Sequence, residues 1–136
     1  MDDIGSAAEL AKYRLGEAMR CLEAAKLSLE HGDYKTSANR SYYCIFHAMR
    51  AVLAIDGFDS KKHSGIISEF RKDYIKTGVF DKNYSKIIDS AFDLRGSSDY
   101  DDFYIAAKED VLAQLNDAYD FFNSVKDFLN SDCCEK

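Results

Sequence analysis

Ala11, Leu15, Ala18, Leu22, Ala25 and Leu29 fall at intervals of four, three, four, three and four residues. Val111, Leu115, Ala118, Phe122, Val125 and Leu129 repeat those intervals near the other end of the chain. On a helix of about 3.6 residues per turn such positions line up as one apolar stripe, whereas on a strand they would scatter over both faces. The chain is therefore committed to long helices that must each bury one side. Proline, which breaks helix interiors, is absent from all 136 residues.

The pattern predicts five helices, over about 7–30, 34–55, 63–75, 84–95 and 105–130. Gly32 suits the left-handed residue that closes the first, and Asp33 can cap the second. Asp81 or Asn83 can cap the fourth, and Gly96-Ser97-Ser98 reads as its terminator. The second helix is apolar well beyond one stripe, since Tyr43, Phe46, Ala48, Ala51 and Leu53 leave the line of Ala38, Tyr42, Ile45, Met49 and Val52. A helix apolar most of the way round is central or contacts a partner chain. Short connections between long amphipathic helices favour antiparallel neighbours. The expected fold is all-α, an up-and-down antiparallel helical bundle of four to five helices. We expect one domain over 1–136, with its core at about 8–130 and a fraying tail at 131–136.

Composition narrows the function classes. A 46% apolar and 13% aromatic content is that of a folded domain. No apolar run approaches the roughly 18 residues that span a bilayer, and the acidic start is not a signal peptide, so no membrane association and a cytoplasmic location are expected. Cys21 and Cys44 fall within helical patterns as small hydrophobes, and no Cys/His cluster has zinc spacing. Glycine-rich phosphate loops, HExxH, GxSxG and paired ExxH motifs do not occur, so neither a metal nor another cofactor is expected. The net charge of −6 argues against a sequence-independent nucleic-acid coat, yet residues 61–76 carry five cations against two carboxylates. That segment, with Lys61, Lys62, Arg71, Lys72 and Lys76, is either a solvated helix face or a small basic site.

Four stretches carry a combined signal: "ANRSYYCIFHAMRAVL" (38–53), "KKHSGIISEF" (61–70), "YIKTGVFD" (74–81) and "AFDLRGSSDYDDFY" (91–104). Together they resemble the HEPN superfamily of small helical proteins, in its stand-alone prokaryotic branch, over about residues 8–130. The resemblance implies a helical bundle, often a homodimer, with polar residues near the dimer seam. It implies a nucleotide- or RNA-binding role, or binding to a partner protein, and a nucleotidyltransferase as that partner in a toxin–antitoxin pair. It also implies an alternative, a metal-independent endoribonuclease whose signature is an arginine, a short spacer and a histidine.

Arg95 matches the arginine of that signature, but Tyr100, Asp101 and Asp102 occupy the positions that would supply the histidine. Cleaving RNA without metal requires a proton acceptor for the 2′-hydroxyl and a cation for the phosphate charge. Arg95 can supply the cation, and Asp99, or a spatially close His47 or His63, can stand in for the acceptor. Arg95 can equally be a cation favouring a helix C-terminus. Arg40 and His47, seven positions apart, share a helix face and are further phosphate-binding candidates, although a satisfied core histidine accounts for His47 as well. His63 can be an exposed helix-start residue or a phosphate contact. Tyr100 completes the candidate ligand set. Tyr42 and Tyr43 read as core or interface aromatics before base-stacking platforms.

Overall fold

The computed structural model describes residues 3–100 and 107–133, with side chains over 6–96 and 107–131. Five α-helices follow in order: α1 (Asp3–Glu30), α2 (Tyr34–Ile55), α3 (His63–Phe70), α4 (Asn83–Tyr100) and α5 (Lys108–Cys133). A π-helical turn, Arg71–Ile75, continues α3. Among the described residues there is no strand, and no helix is long and apolar enough to cross a membrane.

Local chemistry sets the boundaries. Gly32 takes φ +78° after α1, and the Asp33 N–H reaches back to the Ser28 carbonyl at 2.8 Å. The Asp33 carboxylate then accepts from the Thr36 N–H at 3.2 Å and caps α2, as its position in the sequence predicts. Asp81 does the same for α4, accepting from the Asn83 N–H at 2.7 Å.

Gly96-Ser97-Ser98 does not terminate α4, contrary to expectation, because the helix runs through it to Tyr100. A glycine inside a helix costs only about 1 kcal/mol relative to alanine, and the residues just before it are anchored. Leu94 packs with Ala38 and Val111, and Arg95 lies against two tyrosine rings. The expected third helix, 63–75, is continuous but changes to π geometry at Arg71. The last helix is described from Lys108, the expected start at Ile105 lying outside the described residues, and it runs to Cys133, past the expected start of the tail.

Direction follows from contacts. Ser37 Oγ donates to the Ala25 carbonyl at 2.8 Å, and Arg14 donates to the Arg50 carbonyl at 3.2 Å, so α1 and α2 are antiparallel. Tyr84 bonds Ser124 at 2.5 Å while Leu94 packs on Val111, so α4 and α5 are antiparallel too. Helix α2 sits in the middle, packed against α1, α3, α4 and α5. Its burial explains its excess apolar residues: Tyr42, Ile45, Met49, Val52 and Leu53 are almost wholly enclosed. The bundle is up-and-down and all-α, as the periodicity implies. A second aromatic cluster, Phe70, Tyr74, Phe80, Phe121 and Phe128, closes the end where α3 meets α5.

Two variants separate core from cap. Phe70→Ala should lower the unfolding free energy by about 3–5 kcal/mol, because Phe70 is fully buried between Tyr74, Phe80 and Phe121. Asp33→Ala should cost about 1 kcal/mol through loss of the α2 cap. Urea denaturation of both variants checks the ordering.

Candidate functional site

Helix α2 turns one edge toward α3 and α4, and that edge carries Arg40, Tyr43, His47 and Arg50, all half-buried, beside the buried Tyr42 and Phe46. The turn after α2 delivers His63. Asp59 accepts from the Ser60 N–H at 2.8 Å, and Ser60 Oγ accepts from the Lys62 N–H at 3.2 Å. A Cβ on Gly65 would collide with the Ser60 side chain, so glycine is what lets this turn lie flat on α3. Helix α4 brings Arg95 from the other side.

The Tyr42 hydroxyl and His63 Nδ1 are 2.7 Å apart, and the His63 ring stacks on Phe46 at 4.1 Å between centroids. The Arg95 guanidinium carbon lies 5.1 Å from the Tyr42 ring centre and 5.6 Å from that of Tyr43, and its Nη2 donates to the Tyr43 hydroxyl at 3.3 Å. Arg40 approaches the Tyr43 ring to 5.1 Å. Its guanidinium also donates to the Asn39 side-chain oxygen at 2.6 and 2.9 Å. His63 meets the same Tyr43 ring at 5.7 Å, edge to face. Arg40, His63 and Arg95, which are far apart in sequence, therefore converge on the Tyr42–Tyr43 pair. The tyrosines belong to the core and at the same time form the wall that carries the cations.

His47 lies next along α2, with ring contacts to Tyr43 at 6.0 Å and Phe46 at 5.8 Å. The helix-face reading of Arg40 and His47 is correct, since both touch Tyr43. His47 is half-buried, and its Nδ1 is buried with no hydrogen-bond partner among the described residues. Asp99 and Tyr100 extend the last turn of α4 in place of the expected loop. Their side chains, like residues Asp101 and Asp102, lie outside the described part, so their candidate roles have no geometry to set beside them.

Sequence reasoning missed one component. Arg14, almost buried, pairs with Asp59 at 3.1 Å, and Arg50 approaches the same carboxylate at 3.3 Å. Arg14 stands three residues after Ala11 and next to Leu15, on the flank of the apolar stripe, which is the signal that could have placed it. Arg50 also lies 5.9 Å from the Phe46 ring centre. It lines an open depression of about 640 Å³ with Phe46, Asp59, Ser60, Lys61 and His63.

The field of these groups sets the protonation states. Burial pushes His63 below its ordinary value of 6.5, and the charges of Arg95 and then Arg50 push the same way. His47 is lowered by burial and then by Arg50. Tyr42 is pushed up to about 12, chiefly by burial, so its phenol keeps its proton. At neutral pH the site presents two neutral imidazoles among guanidinium ions. Either the Tyr42 O–H or the His63 Nδ1–H can donate in their bond, according to the tautomer. No cluster of three or more His, Cys, Asp or Glu side chains fit for a metal occurs among the described residues.

Both histidines favour the neutral form in the fold, so below pH 6.5 the unfolded chain binds more protons than the native one. Stability should be fully present above pH 6.5 and fall as the pH drops from there toward the folded-state values. The double substitution His47→Gln and His63→Gln should flatten that fall. Urea midpoints taken between pH 6.5 and the carboxylate range measure it.

A family model described as "HEPN domain" matches residues 11–128, a span that holds every residue of this site. The chain is 34% identical over 119 residues to the "UPF0332 protein" of Archaeoglobus fulgidus, covering 88% of this chain and 94% of that one. It is 28% identical over 121 residues to the "UPF0332 protein" of Thermotoga maritima, covering 89% and 92%. It is 32% identical over 123 residues to the "Putative toxin MJ0142" of Methanocaldococcus jannaschii, covering 90% and 83%. With the family model spanning most of the bundle and the tyrosine–histidine–arginine site inside it, this chain belongs to the HEPN domain family.

Proposed function

We propose that this HEPN protein binds RNA at the Tyr42–Tyr43 wall and cleaves it without a metal, with Arg95 as the phosphate cation and His63 as the proton carrier. The observation that supports this reading is the meeting of Arg95 and His63 on one tyrosine pair, which offers in space the arginine–histidine combination that the residues after Arg95 lack in sequence. In the tautomer that donates Nδ1–H to the Tyr42 oxygen, His63 Nε2 is free to take the 2′-hydroxyl proton. The oxygen then attacks the adjacent phosphorus, and the bond to the 5′-oxygen breaks. The imidazolium returns its proton to that leaving oxygen, giving a 2′,3′-cyclic phosphate and a 5′-hydroxyl. Arg95 holds the non-bridging oxygens as charge accumulates. His63 suits the step because it is neutral at pH 7 and only half-buried. The word toxin in the names of two relatives fits an activity directed at the cell's own RNA.

A second reading is a binding module that holds a nucleotide or RNA and does not cut it. It draws on the tyrosine and two aspartates, Tyr100, Asp101 and Asp102, that stand where the family signature has a histidine. On either reading we extend the resemblance to a homodimer and to a nucleotidyltransferase partner in a toxin–antitoxin pair, both inside the cytoplasm. Co-purification of the chain with the products of its neighbouring genes tests the partner.

Incubation with single-stranded RNA in excess chelator separates the two readings. Cleavage should persist with chelator and fall about 10²–10⁴-fold in His63→Gln. Arg95→Ala should reduce it about 10²–10³-fold with helical content retained. The rate should rise with pH through a value below 6.5 and then level off, following the depressed His63. RNA left intact across varied sequences, with binding retained, supports the module and removes the enzyme.

A further inference from the structure

A second open groove, of about 490 Å³, begins one residue past His63 and runs between α3 with its π turn and α4. One wall is a regular series: Ser64, Ser68, Lys72 and Lys76 recur every four residues, so two hydroxyls and then two ammonium groups face the same way. The opposite wall presents Phe92, which is 43% exposed. Phe92 also touches Tyr42 edge-on at 6.0 Å and precedes Arg95 by one helical turn, so groove and site share a wall.

The charge is concentrated by what the remaining residues do. Arg71 donates to Asp89 at 2.6 Å and to the Ser85 carbonyl at 3.1 Å, which ties the π turn to α4 and neutralises the one carboxylate lining the groove. Glu69 and Asp73, the acidic residues of this segment, are not part of the lining. Lys72, whose side chain is 66% exposed and paired with Glu69 at 3.5 Å, and Lys76, also exposed, extend the basic wall away from Arg95. At about 1.5 Å per residue the wall from His63 to Lys76 is about 20 Å long, enough for several nucleotides. An exposed aromatic face followed by a row of cations is the chemistry that holds single strands, by stacking a base and then tracking the backbone.

We propose that this groove is the binding track for single-stranded RNA leading away from the cleavage site, with Phe92 stacking the base nearest Arg95 and Lys72 and Lys76 holding the next phosphates. The inference rests on the RNA-directed reading above, but it concerns binding and can be tested apart from cleavage. An acidic peptide would use the lysines without needing an exposed ring face. The aromatic therefore selects a nucleic acid.

The test uses fluorescence anisotropy with 2′-O-methyl oligoribonucleotides, which lack the attacking hydroxyl and so survive. An octamer should bind more tightly than a dimer. Phe92→Ala should weaken octamer binding about tenfold. The Lys72→Ala, Lys76→Ala double variant should weaken it and also lower the slope of log affinity against log salt by about 1.4, for two phosphates on a single strand. The lysine double variant should bind the dimer, and cut an ordinary dinucleotide, as the wild type does. If the octamer binds no more tightly than the dimer, or the variants bind it unchanged, the track is wrong even where RNA is cleaved. If the variants lose octamer affinity while the wild type cleaves nothing, the track stands and the ribonuclease reading fails.

Discussion

The hydrogen bond between the Tyr42 hydroxyl and His63 Nδ1 joins the interior of the bundle to its reactive edge. Tyr42 is completely enclosed by its neighbours, and a buried hydroxyl without a partner costs about 1–3 kcal/mol. The partner it finds comes from the first residue of α3, so the packing of α2 fixes where α3 begins and how its histidine is turned. The stack of His63 on Phe46 restrains the same ring from its face. The imidazole is thereby held from two directions by a helix that cannot shift without disturbing the core.

The second constraint is electrostatic. An acidic chain gathers Arg14, Arg40, Arg50 and Arg95 around one helix edge, with Asp59 accepting from two of them. The tyrosine faces take part of the remaining charge, through guanidinium–ring contacts each worth about 0.5–1 kcal/mol where exposed and about 2 when desolvated. A phosphate can satisfy planar guanidinium groups of this kind bidentately. Burial first, and then the charges of Arg95 and Arg50, favour the neutral form of His63. Binding of substrate would relieve that repulsion and make the imidazole a better base at the moment one is required.

The fold was largely legible because it rests on periodicity. The stripes on α1 and α5, the all-round apolarity of α2, and the Gly32–Asp33 junction each have a short-range physical signature. The end of α4 was not legible: Gly96-Ser97-Ser98 carries the composition of a stop, and only the packing of Leu94 and Arg95 on other helices overrides it. The π turn at Arg71–Ile75 likewise has no local mark, and Arg71 ties it to Asp89 and Ser85 on α4. At the site, Arg95, Arg40 and His63 were each legible as candidates from residue type and family resemblance. Their convergence was not, because it depends on how α3 and α4 approach α2. Arg14 was hidden because a charged residue on an apolar stripe reads as an exception until Asp59 is seen opposite it.

All of this requires that His63 and Arg95 sense each other across the tyrosine pair. The direct measurement is the pH titration of the His63 imidazole by NMR, in the wild type and in Arg95→Ala. The account predicts a midpoint below 6.5 in the wild type, moving upward when the guanidinium is removed. A His63 midpoint at or above the ordinary value, or one that does not move in Arg95→Ala, would contradict it.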